Sequence, residues 1–166
     1  MAKKQNRNQG GGMDNRIDSY QPLKSFYVDK DRKNVDPKLF NEIAEGIAMS
    51  FCKQSRKNKG DQTEVSLKGE ITITQLRRLF DEVKRFDQLV ETKSWDEIAP
   101  YIKMINSKVR YTVARMKKTN RYSSEYYENL DRFMSDALKL VNDKNSYLVF
   151  SKLFEAVYGF YYGYTS

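Results

Sequence analysis

From about residue 36 onward, apolar residues return every three or four positions, the spacing that gathers them on one face of a helix. Asp36-Pro37 is a helix start, since Asp can accept from free amide groups and Pro is at ease in the first helical position. Phe40, Ile43, Ala44, Ile47 and Phe51 follow on one face, predicting a first helix to about Arg56. A second helix is predicted over 71–90, where Thr72 and Gln75 have capping-box spacing and Leu76, Leu79, Phe80, Val83, Phe86 and Val90 form the buried side. Ser94-Trp95-Asp96-Glu97 repeats the capping signature and opens a third helix, with Pro100 in its first turn or at a short break. Its apolar stripe is Ile98, Ile102, Ile105, Val109, Thr112, Val113 and Met116. Tyr126 or Tyr127, Leu130, Phe133, Ala137, Leu140 and Val141 mark a fourth helix that ends at Asn142-Asp143, and Tyr147, Phe150, Phe154, Val157 and Tyr161 a fifth. Strand-like alternation occurs only briefly, from Thr63 to Ile73. The fold class expected is all-α: a compact bundle of about five helices.

Ahead of the helices the pattern disappears. MAKKQNRNQGGGMDNR has no apolar period to bury, so residues 1–34 are expected to form a flexible basic and polar arm, with residues 35–166 as the bundle domain. From Tyr20 apolar residues reappear, and Pro22 opposes helix, so this part is expected to lie extended against the body.

Charge divides the helices further. The 166 residues include 30 basic and 22 acidic ones, for a net charge of +8. Residues 98–124 hold seven of the basic residues and no acidic one, leaving 23 against 22 elsewhere, so nearly the whole excess lies on the third helix. On a helical projection Lys103, Arg110, Lys117 and Arg121 fall opposite its apolar stripe, and Lys108, Tyr111, Arg115 and Lys118 run along its flank. Such a surface suits an acidic partner, most simply nucleic acid. The alternative is a solvated face with no ligand. A smaller cluster, Lys53, Arg56, Lys57 and Lys59, reads as a solvated helix end complementing the helix dipole or as an auxiliary phosphate contact.

Histidine is absent and Cys52 is the single cysteine. That removes Ser-His-Asp and Cys-His chemistry, a disulfide framework, and most zinc and non-haem iron sites. Cys52 itself reads as a small residue at the core edge. Carboxylate chemistry with magnesium survives in principle, but the acidic pairs Asp29/Asp31, Asp81/Glu82 and Asp96/Glu97 fall in the arm, on a charged helix face and at a helix start, with no convergence evident. No enzymatic activity and no cofactor are expected. No apolar run is long enough for a membrane span and no signal peptide opens the sequence, so a cytoplasmic protein is the expectation. In the aromatic end FEAVYGFYYGYTS, Tyr158, Phe160, Tyr162 and Tyr164 exceed the needs of one buried face, which suggests packing or an interface ahead of base stacking.

Three segments together resemble a known family. Ile71-Thr72-Ile73-Thr74-Gln75-Leu76-Arg77 looks like its capped helix start, Lys108-Val109-Arg110-Tyr111-Thr112-Val113-Ala114-Arg115 like its Lys/Tyr/Arg helix, and Phe154-Glu155-Ala156-Val157-Tyr158-Gly159-Phe160 like its C-terminal helix. In this order and spacing they are similar to the small helical subunit of type III-A CRISPR (Csm) effector complexes, over residues 71–166. The resemblance implies a non-catalytic subunit that packs in several copies beside the backbone subunits of a crRNA-guided ribonucleoprotein in antiviral defence. Its implied partners are crRNA, target single-stranded RNA and other Csm subunits, with self-association open.

Base pairing would then supply sequence recognition, leaving this chain to contact phosphate. The candidate RNA-binding residues are Lys108, Arg110, Tyr111, Arg115, Lys117 and Lys118, followed by Arg121, Lys103, Arg77 and Arg78. Arg115, which adjoins the apolar face, has bundle bracing through Glu155 as a second possible role. The competing function is a helical adaptor that acts only through protein contacts.

Overall fold

The computed structural model describes residues 19–165. A π-helical turn, Leu39–Ile43, leads into α1, Ala44–Met49. A two-stranded antiparallel sheet follows, β1 at Cys52–Lys59 and β2 at Gln62–Gly69. Then come α2 at Ile73–Thr92, α3 at Trp95–Thr119, a 3-10 turn at Arg121–Ser123, α4 at Ser124–Leu140 and α5 at Lys144–Thr165. The expected five-helix bundle is present, with the hairpin as an addition.

Around a single core the helices stand in the order α1, α5, α2, α3, α4. The ring closes where Asn129 Nδ2 of α4 donates to the Ser50 carbonyl just after α1, at 2.8 Å. Phe51, Phe133, Phe150, Phe154 and Tyr161 are fully buried and meet mostly at tilted or edge-on angles. Tyrosine hydroxyls inside this core need partners, and two of them find these on the backbone. Tyr147 donates to the Val83 carbonyl, and Tyr161 both donates to the Ile71 carbonyl and accepts the Ile71 N–H.

The first helix departs from the expected one at both ends. Asp36 does act at the start, its Oδ1 accepting the Lys38 N–H at 2.9 Å. Leu39 rather than Phe40 is buried there, however, Phe40 remaining 38% exposed. The helix stops at Met49 instead of running to Arg56, and residues 52–59 form β1. Past Cys52 that stretch has no apolar residue, so helical and extended periods are indistinguishable in it.

Helix starts are also built differently from one another. Ser94 Oγ accepts from the Glu97 N–H at 3.4 Å, and α3 then continues through Pro100 without a break. At α2 the expected reciprocal box is replaced. The Thr72 side chain makes no cap bond, and the Tyr127 hydroxyl instead accepts the Thr72 N–H at 3.2 Å and donates to Gln75 Oε1 at 2.6 Å. A residue 55 positions away thus does work that the local pattern assigned to Gln75.

Residues 1–18 of the expected N-terminal arm lie outside the described residues. Beyond them Tyr20 and Phe26 are buried, and the Tyr20 hydroxyl donates to Asp136 on α4 at 2.9 Å.

Candidate nucleic-acid interface

α2 and α3 are joined by Lys93-Ser94 and lie antiparallel, so the start of α2 faces the end of α3. Each turns an apolar stripe inward: Leu76, Leu79, Val83, Phe86 and Val90 from α2, and Ile98, Ile102, Ile105, Val109 and Val113 from α3. Their long polar side chains meet over the seam between them. The cations along the seam, from α2, α3 and the turn after α3, fall into three sets.

The first set leans on α4. Lys103 Nζ donates to the carbonyls of Leu138 and Val141, at 2.5 and 2.7 Å, and so caps the C-terminal end of α4. Burial favours its neutral form and lowers its pKa. Arg110 Nε stands 3.6 Å from Asp131 Oδ1, an ion pair without a hydrogen bond, and Lys117 pairs with Glu128. The projection that set Lys103, Arg110 and Lys117 free on the far side of α3 therefore fails. A helical wheel shows the angle to the buried stripe but not the neighbouring helix that rises beside it, and these side chains are long enough to reach across.

The second set is balanced along α2. Lys108 and Arg85 both contact Glu82 Oε1. Burial opposes ionisation of Glu82, but hydrogen bonds from these two cations outweigh it and hold the carboxyl below its usual range. Arg77 pairs with Asp81 at 3.2 Å on the opposite flank, near Tyr158.

The third set has no ion pair among the described residues: Arg78, Arg115, Lys118 and Arg121, all exposed. Arg78 from α2 and Arg115 from α3 face each other across a shallow cavity of about 140 Å³, lined also by Tyr111, Thr112, Gln75 and Leu79. Tyr111 is 69% exposed, far beyond what packing requires. Gln75 underlies the cavity in a fixed orientation, because its amide donates to Met116 Sδ while its carbonyl oxygen accepts from Thr72 and Tyr127. Two guanidinium groups beside an open aromatic ring can hold phosphate oxygens and a base or sugar face together. Arg115 does not brace α5, since Glu155 is taken by Lys84 at 3.0 Å.

The sequence reading passed over the other end of the seam. There Arg85, Phe86, Leu89, Lys93, Glu97 and Tyr101 border a groove of about 410 Å³. Tyr101 is 60% exposed on its α3 side, and Met104, one turn further along α3, is 53% exposed. Both residues sit outside the apolar stripe, which was the one available signal. At the aromatic end, Tyr158 stacks on Phe80 with centroids 4.8 Å apart, and Tyr164 donates to Glu45 on α1. Most of the surplus aromatics are therefore used within the bundle, and Tyr162 stays 55% exposed.

Among the described residues no group of three or more His, Cys, Asp or Glu side chains converges as a metal site, and no helix is long and apolar enough to cross a membrane. Fold and surface define a small helical protein, with much of its accessible chemistry in lysine, arginine and tyrosine. The family model described as Csm2 Type III-A matches residues 34–166. The chain belongs to that family, the non-catalytic small helical subunit of the type III-A CRISPR Csm effector complex. No curated protein matches the chain.

Proposed function

We propose that this Csm2-family subunit holds the sugar–phosphate backbone of crRNA and target single-stranded RNA along the α2/α3 seam, while packing beside the other Csm subunits in the cytoplasm. Arg78, Tyr111 and Arg115 form the centre of the contact. Lys118 and Arg121 extend it toward the end of α3, and Lys108 adds a cation shared with Glu82. Lys103, Arg110 and Lys117 serve it indirectly, by fixing α3 against α4. The observation that carries this reading is the facing pair of unpaired guanidinium groups beside an exposed tyrosine, since unpaired exposed cations are the ones free to displace phosphate counterions.

Replacing Arg78, Tyr111 and Arg115 together by Ala should weaken binding of labelled single-stranded RNA by the assembled complex by about 10-fold or more at ~0.1 M salt. Helix content should not change. Unaltered affinity in an anisotropy titration would remove these residues from the RNA path. The adaptor reading draws on Tyr101 and Met104, whose exposure at the other end of the seam suits a protein partner. Loss of complex assembly without loss of RNA affinity, after changing those two residues, is the signature of a protein contact at that end.

A further inference from the structure

The β1/β2 hairpin is nearly all solvent-exposed, and its charge is ordered. Its register pairs Lys53 with Lys68, Ser55 with Ser66, Lys57 with Glu64 and Lys59 with Gln62. Successive side chains on a strand alternate between faces, so these eight residues share one face, which holds four lysines and no apolar residue. The other face carries Cys52, Gln54, Arg56 and Asn58, paired with Gly69, Leu67, Val65 and Thr63. Leu67 packs against the core and Cys52 is buried, so that second face leans toward the bundle at its root and the lysine face looks outward. Gly60, at φ 64°, is the first residue of the two-residue loop and gives the tight reversal that keeps the strands in this register.

Protection against edge-to-edge pairing accounts for some lysine on a two-stranded sheet, but that need is met by charge on either face. Segregation onto one face calls for a ligand on that side. Protein interfaces favour aromatic and apolar anchors and are poor in lysine, whereas phosphate oxygens are contacted largely by Lys and Arg. Alternate residues of a strand are spaced about 6.7 Å apart, comparable with the step between successive phosphates of an extended nucleic-acid strand. Among the described residues the only acidic partner on this face is Glu64, which pairs with Lys59 at 2.9 Å.

Position supplies a second argument. The hairpin leaves the bundle at the end where α3 finishes its basic turns. Glu70, just past β2, accepts from Ser123 Oγ at 2.7 Å, and Ser123 in turn accepts from Asn120 Nδ2 at 3.2 Å. The root of the hairpin is thereby joined to the Arg121–Ser123 turn that follows Lys117 and Lys118.

We infer that the lysine face of the hairpin, Lys53, Lys57, Lys59 and Lys68, is a second phosphate-binding surface, which receives a single RNA strand continuing from the end of α3. The inference rests on the RNA-contact reading of the seam and adds a site separate from it.

The test uses the purified full chain and a labelled oligouridine, which reports backbone contacts without base pairing. Changing the four lysines to Thr retains strand preference. Affinity should fall about 10-fold or more at ~0.1 M salt, and the slope of log K against log salt should become shallower by about 2. A four-Arg variant should restore both. A photo-crosslinker at Ser55 or Ser66 in the assembled complex should label RNA, and one at Thr63, on the opposite face, should not. Unchanged affinity and slope in the Thr variant, with the seam variant still impaired, overturn this inference alone. Failure of both variants to weaken binding overturns the RNA-contact reading itself. Crosslinks from Ser55 and Ser66 to protein instead of RNA identify a subunit contact and also overturn the inference. A Thr variant that lost its fold would show reduced helix content, and the crosslinks, made in the chain with its lysines intact, then decide the matter.

Discussion

The two longest helices of the bundle, α3 with 25 residues and α5 with 22, divide the work of the molecule between them. α3 buries five side chains along one stripe and carries six lysines and arginines. α5 buries eight, among them Tyr147, Phe150, Phe154 and Tyr161, and its charged residues are only Lys144, Lys152 and Glu155. α5 packs against both α1 and α2 and receives the root of the hairpin, whereas α3 is covered by α2 and α4 and leaves its remaining arc in water. Cohesion is thus concentrated in one helix and accessible cationic chemistry in another. Substitutions in the two should fail in different ways.

The largest expected effect is in α5. Phe154→Ala removes a fully buried ring that meets Phe80, Phe133 and Phe150, and should cost about 3–5 kcal/mol in urea denaturation. Tyr111→Ala on α3 should stay within about 0.5 kcal/mol of the parent. Similar losses for the two would erase the contrast.

Gly69→Ala tests how tightly α5 receives the hairpin. A Cβ there would collide with Thr165 Cγ2 and lie 2.6 Å from the Tyr161 hydroxyl, which already holds both backbone groups of Ile71. A loss of about 1–3 kcal/mol is expected, with a lowered melting temperature. An unchanged melting temperature would mean that the hairpin root moves freely on α5.

The smallest effect is on pH dependence. No histidine is present to titrate between pH 6 and 8, so stability should be flat there. Burial opposes ionisation of Asp143, but hydrogen bonding by Ser146 and the charge of Arg32 prevail, and its pKa, like that of Glu82, is lowered by folding. Such carboxylates add stability above the ordinary carboxylate range, about pH 4, and it is lost as pH falls through their lowered values. Melting temperatures from pH 8 to 3 should therefore hold a plateau and then drop on the acid side. Glu82→Gln should soften the drop, because the ion pairs between α2 and α3 contribute to it.

Most of this division was legible in the residue pattern. The helical spacing of Leu76 to Val90, Ile98 to Val113 and Tyr147 to Tyr161 marks faces that the bundle buries, because a buried stripe on a long helix repeats several times. Of the hairpin, β2 was foreshadowed by the brief alternation from Thr63, whereas β1 was not legible. Residues 53–59 have no apolar alternation to display, and a basic polar run continues a helix pattern as readily as a strand pattern. For the candidate site, the sequence identified Tyr111 and Arg115 on the helix and noted Arg78, but could not bring Arg78 and Arg115 together, since their meeting depends on how α2 lies along α3. It also could not distinguish Lys103 and Lys117, held by α4, from Lys118, which has no such partner. Those distinctions arise from pairings across 35 residues in one case and 11 in the other, beyond the reach of local spacing.

The central place of α5 also bears on how the chain is made. Elements emerging from the ribosome in order would present the inner faces of α1, α2 and the hairpin root well before the helix that covers them, and the Tyr161–Ile71 bond spans 90 positions. A nascent chain stopped short of residue 144 would hold several amphipathic helices around an unfilled centre. Such exposed apolar surface favours aggregation or chaperone capture. Completion of this core therefore waits for the aromatic segment of α5.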